Sequence, residues 1–297
     1  MKRIGMERIE VGLEWFLNPD HLPFVSALEK GWFREAGLDV QLIEPTDHYD
    51  GLAAVATGEL AFACNEPLHM IDEARPGLRA LGCFFETDGG VMLTSAGVQA
   101  LSAGKTIRVA SPVAGEVTDD LAKLIVGRWC ERKGIAFDPA QMRIEAAGFE
   151  HLKNIQAGFD GAWLCFANFE GVEAQQLGVE ATFISSTDVG LPNFSALELF
   201  TGESTLRESP QMVEAFTRVV SQGAAWCRQH PEEAAQIWYK HTGEQPSKLM
   251  DAIIADTCQR LVAPLVRDSG RWFEMWREFD RMGLSQVDQA GYQALYE

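Results

Sequence analysis

The sequence lacks an excess of basic residues. Its 297 residues include 25 Lys and Arg against 43 Asp and Glu, so the formal net charge is -18 at pH 7. Because nucleic-acid phosphates attract basic surfaces, this charge argues against a nucleic-acid partner. It does not define a ligand, since an acidic surface can surround a neutral or cationic pocket.

The sequence also lacks long apolar runs. Its first residues carry Lys2, Arg3 and Arg8 without an apolar stretch, so they do not have the form of a signal peptide, and no later segment has the form of a transmembrane helix. We therefore expect no insertion into a membrane. Met1 and the residues after it are typical of a native start, which favours the cytoplasm. The periplasm is the alternative if a signal peptide has been removed.

Cysteine is present, but no two cysteines form a C-x-x-C pair. Neither a disulfide framework nor a zinc site is therefore predicted. Most of these thiols are expected to be small buried side chains, and free thiols suit a reducing compartment. The six positions are Cys64, Cys83, Cys130, Cys165, Cys227 and Cys258.

Several motifs of enzyme chemistry are missing. There is no G-x-S-x-G nucleophile elbow and no H-E-x-x-H motif. The turn at residues 111–115 offers backbone N–H groups at a helix start, but it has neither the lysine of a P-loop nor the glycine spacing of a dinucleotide site. ATP and NAD are therefore not expected, and no cofactor is predicted. A metal site from His21, His69 and Glu66 has no fixed ligand spacing, so no metal is predicted either.

What is present is a polar and aromatic junction near the start of the chain. A strand is predicted around residues 9–11 and a helix over residues 22–34. Between them lie Trp15, Asn18 and His21. Ligands of open α/β sheets bind where strands end, so the junction is a candidate pocket floor. The alternatives are that Trp15 packs in the core and that His21 caps the helix.

The residues that follow predict a βαβαβ unit. A helix ends at Gly37 and a strand covers residues 38–43. A second helix covers residues 52–57, stops at Gly58, and leads into a strand at residues 60–63. Alternation of this kind is typical of an α/β fold with parallel strands.

Two motifs in this region resemble a known family. W-F-x-N-P-D-H from Trp15 to His21, followed by E-K-G-W-F-x-E-x-G-L-D-V from Glu29 to Val40, resembles the periplasmic binding proteins of ABC importers. The similarity is greatest to the branch that carries thiamine-pyrimidine precursors and includes the fungal thiamine-pyrimidine synthase. It extends from about Val11 to about Phe279. It implies an α/β, two-lobed fold of the type II periplasmic-binding-protein class, with a two-crossing hinge.

A division into two lobes also suits the length of the chain, which can bury two cores. Lobe one is predicted to comprise residues 1–94 and 196–297, and lobe two residues 95–195. The chain is expected to cross between them near Thr94 and again within residues 188–195.

A cleft between such lobes would gather polar side chains from several strand ends. An indole face can stack on a flat heteroaromatic ring, and amides and carboxylates can match its ring nitrogens and exocyclic amine. Glu66 and Glu170 are the predicted orienting carboxylates, with solvated surface glutamates as the alternative. The predicted ligand contacts are Trp15, Asn18, His21, Asn65, Glu66, His69, Ser111, Gly115, Asn168 and Glu170.

The resemblance to the synthase is incomplete at its catalytic residues. That enzyme uses a lysine that holds pyridoxal phosphate, a histidine that is consumed, and a cysteine-rich run associated with iron. Alignment through residues 58–60 brings His69 to the histidine position but Asn65 to the lysine position, and residues 191–195 contain no thiol. Asn cannot form a Schiff base. No catalytic residue is predicted, and His69 is either a ligand contact or a structural histidine.

The sequence therefore predicts a solute-binding protein for a small planar heteroaromatic molecule, pyrimidine-like or related to a thiamine precursor. An ABC permease is the candidate partner. The alternative is a cytoplasmic enzyme or sensor of thiamine-pyrimidine biosynthesis or salvage.

Overall fold

The computed structural model describes residues 7–45, 50–114 and 118–297. The chain divides into two compact units. Unit 1 comprises Met1–Glu86 and Ser195–Glu297, and unit 2 comprises Thr87–Phe194. The chain therefore passes between the units twice. The first passage differs from the boundary expected at residue 94, because the strand at Gly89–Thr94 pairs within the sheet of unit 2.

Both units are built on mixed sheets. The strands of the described residues are β1 (Glu7–Gly12), β2 (Leu38–Ile43), β3 (Phe62–Asn65), β4 (Leu78–Glu86), β5 (Gly89–Thr94), β6 (Ile107–Ser111), β7 (Met142–Ala146), β8 (Gly161–Phe166), β9 (Ala181–Ser185) and β10 (Ala196–Gly202). The sheet of unit 1 has the order β2-β1-β3-β10-β4, and that of unit 2 has the order β7-β6-β8-β5-β9.

Helices connect the strands and complete unit 1 after β10. They are α1 (Leu22–Glu29), α2 (Trp32–Glu35), α3 (Gly51–Thr57), α4 (His69–Asp72), α5 (Ser95–Ser102), α6 (Thr118–Lys133), α7 (His151–Gln156), α8 (Val172–Leu177), α9 (Glu203–Glu208), α10 (Pro210–Gln229), α11 (Pro231–Thr242), α12 (Lys248–Arg260), α13 (Phe273–Arg281) and α14 (Gln289–Ala294). In the described ranges, no helix combines the length and the apolar character of a membrane span.

In each sheet, parallel strands end at a common edge. In unit 1, β1 is parallel to both β2 and β3, whereas β10 is antiparallel to β3 and β4. In unit 2, β6 is parallel to β7 and β8, whereas β5 is antiparallel to β8 and β9. The loops that follow β1 and β3 are therefore neighbours, as are those that follow β6 and β8.

The helix predicted over residues 22–34 is two helices. Gly31 has φ of 77°, a left-handed conformation that interrupts the α-helical path between α1 and α2. The sequence pattern did not reveal the break because apolar side chains recur on one face of both helices.

The core of unit 1 includes a group of four phenylalanines, one of which, Phe216, belongs to α10. Phe216 lies face to face with Phe62 of β3, with ring centroids 4.0 Å apart and planes inclined by 7°. Phe24 and Phe33 complete the group, and all four side chains are buried. Burying each ring stabilises the fold by about 1.5 to 3 kcal/mol.

Helices α1 and α10 approach each other closely at one residue. A Cβ atom at Gly223 would lie 2.2 Å from the carbonyl oxygen of Pro23, so only glycine fits there. The face of α10 that is buried carries an apolar stripe that includes Phe216, Val219, Val220 and Cys227.

In unit 2, a bulge distorts the end of β8. Leu164 has φ of 62°, and the register between β5 and β8 shifts between Gly90 and Val91. A left-handed leucine is strained, and such strain persists only where the surroundings hold it.

The prediction that most cysteines are buried is confirmed, because all six are buried and free.

Candidate functional site

The strongest candidate site lies at the shared edge of β1 and β3 in unit 1. Val11 pairs with Phe62 and Gly12 with Ala63, so both strands end at the same level. Glu14 and Trp15 follow β1, and Glu66 follows β3. We call these loop residues, together with Asn18, His21, Cys64, Asn65 and His69, the unit 1 edge.

A buried acid and imidazole pair forms the base of the unit 1 edge. His21 is fully buried, and its Nε2 atom lies 3.0 and 2.9 Å from the two carboxylate oxygens of Glu14. The Cys64 thiol lies 3.2 Å from Glu14 Oε2. Burial alone would raise the pKa of Glu14, but the interactions with His21 and Cys64 outweigh burial and lower that pKa below its ordinary value.

The backbone fixes the tautomer of His21. The N–H of Asn18 donates to His21 Nδ1 at 3.2 Å, which makes Nδ1 an acceptor. We therefore assign the ring proton to Nε2, where it faces Glu14. Both ring nitrogens are engaged within the loop, as in the helix-cap alternative. Direct contact between His21 and a ligand stays a prediction.

Two aromatic residues follow Glu14 in the same loop. Trp15 is half-buried and the neighbouring Phe16 is 48% exposed, with ring centroids 5.5 Å apart. The Asn18 side chain is used within the loop, since its Oδ1 accepts from Asp20 N at 2.9 Å and its Nδ2 donates to the Phe16 carbonyl at 3.1 Å. Asn18 therefore holds the turn that carries the rings.

The residues after β3 contribute a second acid and a second imidazole. Asn65 Oδ1 accepts from the backbone N–H of Glu66 at 2.8 Å. The Glu66 carboxylate lies 3.8 Å from His69 Nε2, and His69 Nδ1 lies 2.8 Å from Asp72 Oδ2. Burial raises the pKa of Glu66 to about 7, with a further contribution from the charge of Glu14 and opposition from His69.

The residues predicted in unit 2 lie at the edge where β6 and β8 end. Ser111 is buried, and its Oγ accepts from Val113 N at 3.3 Å. Asn168 and Glu170 are buried in a π-helical turn after β8, where Glu170 Oε2 accepts from Phe166 N at 2.8 Å. We call these three predicted residues the unit 2 edge. Gly115 lies outside the described residues.

The structure thus gathers six of the predicted contacts at the unit 1 edge and three at the unit 2 edge. Their contact with a ligand stays a prediction. The sequence analysis missed Glu14 and the role of Cys64. A carboxylate directly before Trp15, at the end of a predicted strand, was a signal that could have indicated Glu14.

Three side chains of the unit 1 edge have the donor types of a metal site. One ligand atom each from Glu14, His21 and Cys64 lie within 4.8 Å of one another. However, a histidine bound to metal through Nε2 donates its Nδ1–H to an acceptor, whereas here a backbone N–H points at Nδ1. The geometry fits a proton between His21 and Glu14 better than an ion. Pyridoxal phosphate does not fit either, because Asn65 has no amine.

A family comparison covers most of the chain. The sequence model of a family described as NMT1/THI5 like matches residues 18–234. A 4-amino-5-hydroxymethyl-2-methylpyrimidine phosphate synthase from Legionella pneumophila is 23% identical over 91% of this chain and 85% of its own length. A formylaminopyrimidine-binding protein from Halalkalibacterium halodurans is 23% identical over 92% of this chain and 84% of its own.

Solved structures share the fold at lower identity. The periplasmic aliphatic sulphonate binding protein SsuA from Escherichia coli aligns with a TM-score of 0.68 and 13% identity, covering 98% of this chain and 97% of that protein. A Candida albicans protein with the generic periplasmic binding protein fold aligns with a TM-score of 0.65 and 12% identity, over 97% and 94%. The predicted resemblance and fold class are confirmed by these matches.

Proposed function

Because the chain belongs to the NMT1/THI5-like family, we propose that it is a solute-binding protein for a small planar heteroaromatic molecule of the pyrimidine class. The observation that carries the proposal is the unit 1 edge. There, the half-buried indole of Trp15 lies next in the chain to Glu14, which pairs with the buried His21, and a second carboxyl, Glu66, follows β3. A relative named as a formylaminopyrimidine-binding protein supports the ligand class.

Each group of the unit 1 edge has a role in this proposal. Trp15 stacks on the ring, which contributes about 0.5 to 1.5 kcal/mol beyond the burial of area. Glu66 hydrogen-bonds the edge formed by a ring nitrogen and an exocyclic amine. The Glu14 carboxylate is already engaged by His21 and Cys64, so Glu66 is the acid available to the ligand. Since its pKa is about 7, Glu66 accepts or donates a proton near neutral pH.

The residue at position 65 supports binding without chemistry. The amide of Asn65 is not a nucleophile, and its oxygen is hydrogen-bonded to the next backbone N–H. We propose that the ligand is released chemically unchanged and is transferred to an ABC permease. The periplasm would be the site of such a transfer. Solved neighbours include a ligand-binding component of an ABC-type import system from Staphylococcus aureus.

The test is calorimetric titration of the purified chain with thiamine, its pyrimidine precursors, riboflavin and nucleobases. We expect sub-micromolar binding of a 4-aminopyrimidine and recovery of the unchanged compound after incubation. Binding of the other classes in preference to every pyrimidine contradicts the ligand class, and chemical turnover contradicts the binding role.

A cytoplasmic enzyme or sensor of thiamine-pyrimidine metabolism is the second candidate. It is favoured by the His69 and Asp72 pair, a partly exposed imidazole whose Nδ1 faces a carboxylate, and by the synthase relative. Incubation with pyridoxal phosphate and iron, followed by mass analysis of the protein and solution, tests it. Loss of mass from a histidine together with a pyrimidine phosphate product supports the enzyme. An ATPase and permease encoded beside this chain supports the binding protein.

A further inference from the structure

Glu198 is a buried carboxyl close to the two places where the chain passes between the units. It lies on β10, where its register partners are Asn65 of β3 and Cys83 of β4. Only 1% of the residue is exposed. Because an unpaired carboxylate is costly to bury, its surroundings must compensate for the charge or keep the group protonated.

Two adjacent residues before α13 hold both strands that enter the passages. Trp272 Nε1 donates to Glu198 Oε2 at 2.9 Å. Arg271 forms an ion pair with Glu86, the last residue of β4. Glu86 is also the register partner of Ala196, the first residue of β10. The Arg271–Trp272 segment thus contacts both β4, after which the chain leaves unit 1, and β10, with which it returns.

The groups around Glu198 make its charge depend on pH. Burial raises the pKa of Glu198 to about 7, Asp268 and Glu86 add to the rise, and Trp272 and Arg271 oppose it. Three further groups interact with it, and burial raises the pKa of each, so they stay neutral near pH 7: Cys83, Tyr292 and Tyr296.

We propose that Glu198 is a proton-dependent lock on the strands of the two passages. As a neutral acid, it accepts the Trp272 N–H and leaves Arg271 to Glu86. As a carboxylate, it accepts the Trp272 N–H more strongly and competes with Glu86 for Arg271, but the cost of burying its charge exceeds these gains and weakens the packing of β10. The lock therefore closes on acidification and loosens as the pH rises.

The first test follows the Trp272 indole N–H by NMR in protein labelled with ¹⁵N-tryptophan. Loss of one signal in Trp272→Phe assigns it. We expect the wild-type signal to shift with a midpoint near pH 7, and the shift to be absent in Glu198→Gln and retained in the control Glu214→Gln. A signal that stays constant between about pH 5.5 and 8.5 overturns the proposal, and this wild-type titration does not require the variant to fold.

The second test is hydrogen exchange of the peptides that contain β4 and β10. Wild type and Glu198→Gln are compared at the same pH, so the intrinsic exchange rate cancels. We expect equal protection at about pH 6 and severalfold faster exchange of wild type at about pH 8. Equal exchange at both pH values overturns the lock.

Discussion

The two sheet edges use different chemistry at equivalent positions. At the unit 1 edge, acids and imidazoles contact one another, as in the Glu14 and His21 pair and the Glu66 and His69 pair. At the unit 2 edge, Ser111 and Asn168 are neutral, and the Glu170 carboxylate caps a backbone N–H. The unit 1 edge therefore offers charged and titratable groups, whereas the unit 2 edge offers neutral polar groups and an engaged carboxylate.

One buried group in each unit contributes a pH dependence of stability, and the two contributions have opposite signs. The pKa of Glu66 in unit 1 is raised by burial to about 7, so the folded state holds its proton more tightly than the unfolded chain does. In unit 2, burial lowers the pKa of His151 to about 4, although a hydrogen bond to the Leu164 backbone opposes this shift, so the folded state holds its proton less tightly. The two contributions oppose each other in mildly acidic solution.

The largest effect is expected from breaking the Glu14 and His21 pair of unit 1. Glu14→Ala leaves the fully buried His21 without its partner, and removing one member of a buried pair costs about 3 to 5 kcal/mol. Urea unfolding measures the loss. The matched control is Glu59→Ala, an exposed acid in the same unit, which should change stability by less than about 0.5 kcal/mol. Equal effects of the two variants would contradict a stabilising buried pair of Glu14 and His21.

The next largest effect comes from replacing Glu66 with a residue that cannot ionise. Between the unfolded pKa near 4.5 and the folded value of about 7, wild type loses stability as the pH rises. Glu66→Gln cannot ionise, so at pH 8 it should be more stable than wild type by roughly 3 kcal/mol, from 1.36 kcal/mol per pKa unit. Urea unfolding at pH 5 and 8 checks this, with Glu59→Gln as control. A difference that is the same at both pH values contradicts the raised pKa.

The corresponding change in unit 2 should act in the opposite direction. Wild type loses stability as the pH falls from 6.5 toward about 4, because the unfolded chain takes up the His151 proton first. His151→Gln should be less sensitive to acid over this window, by roughly 3 kcal/mol at most. Hydrogen exchange of peptides from α7 and β8 reports the effect within unit 2. His230, whose side chain is 41% exposed, supplies the control variant His230→Gln, and identical acid profiles for both variants would contradict the assignment.

The smallest effect concerns binding alone. Trp15→Ala should weaken binding of a 4-aminopyrimidine by more than about 1 kcal/mol, since stacking of this size is lost, and should leave the fold intact. Calorimetry measures the affinity. Phe149→Ala, which removes a more exposed aromatic ring in unit 2, is the comparison variant. Undiminished affinity in Trp15→Ala would show that Trp15 does not contact the ligand.

The sequence was sufficient for the order of strands and helices near the start of the chain, because apolar periodicity and glycine stops are local signals. It was sufficient also for the common edge of β1 and β3, since parallel strands of a βαβαβ unit end together. It was insufficient for the break at Gly31, where the apolar face continues through the interruption.

The role of Glu14 could not be derived from local pattern. Its carboxylate meets His21 only because the loop between them closes on itself, and it meets Cys64 only because β1 and β3 pair. Likewise, the burial of His151 and the left-handed Leu164 depend on packing within unit 2. Such relations between distant residues are tertiary and leave no periodic trace.

The contact at Gly223 has a consequence for how the first junction can move. With no room for a methyl group between α10 and Pro23, the two helices cannot slide past each other without collision. The turn that carries His21 is joined directly to α1, so it rests on a fixed platform. We therefore expect rearrangement around Trp15 on binding to involve side-chain rotation and the loop itself rather than displacement of α1.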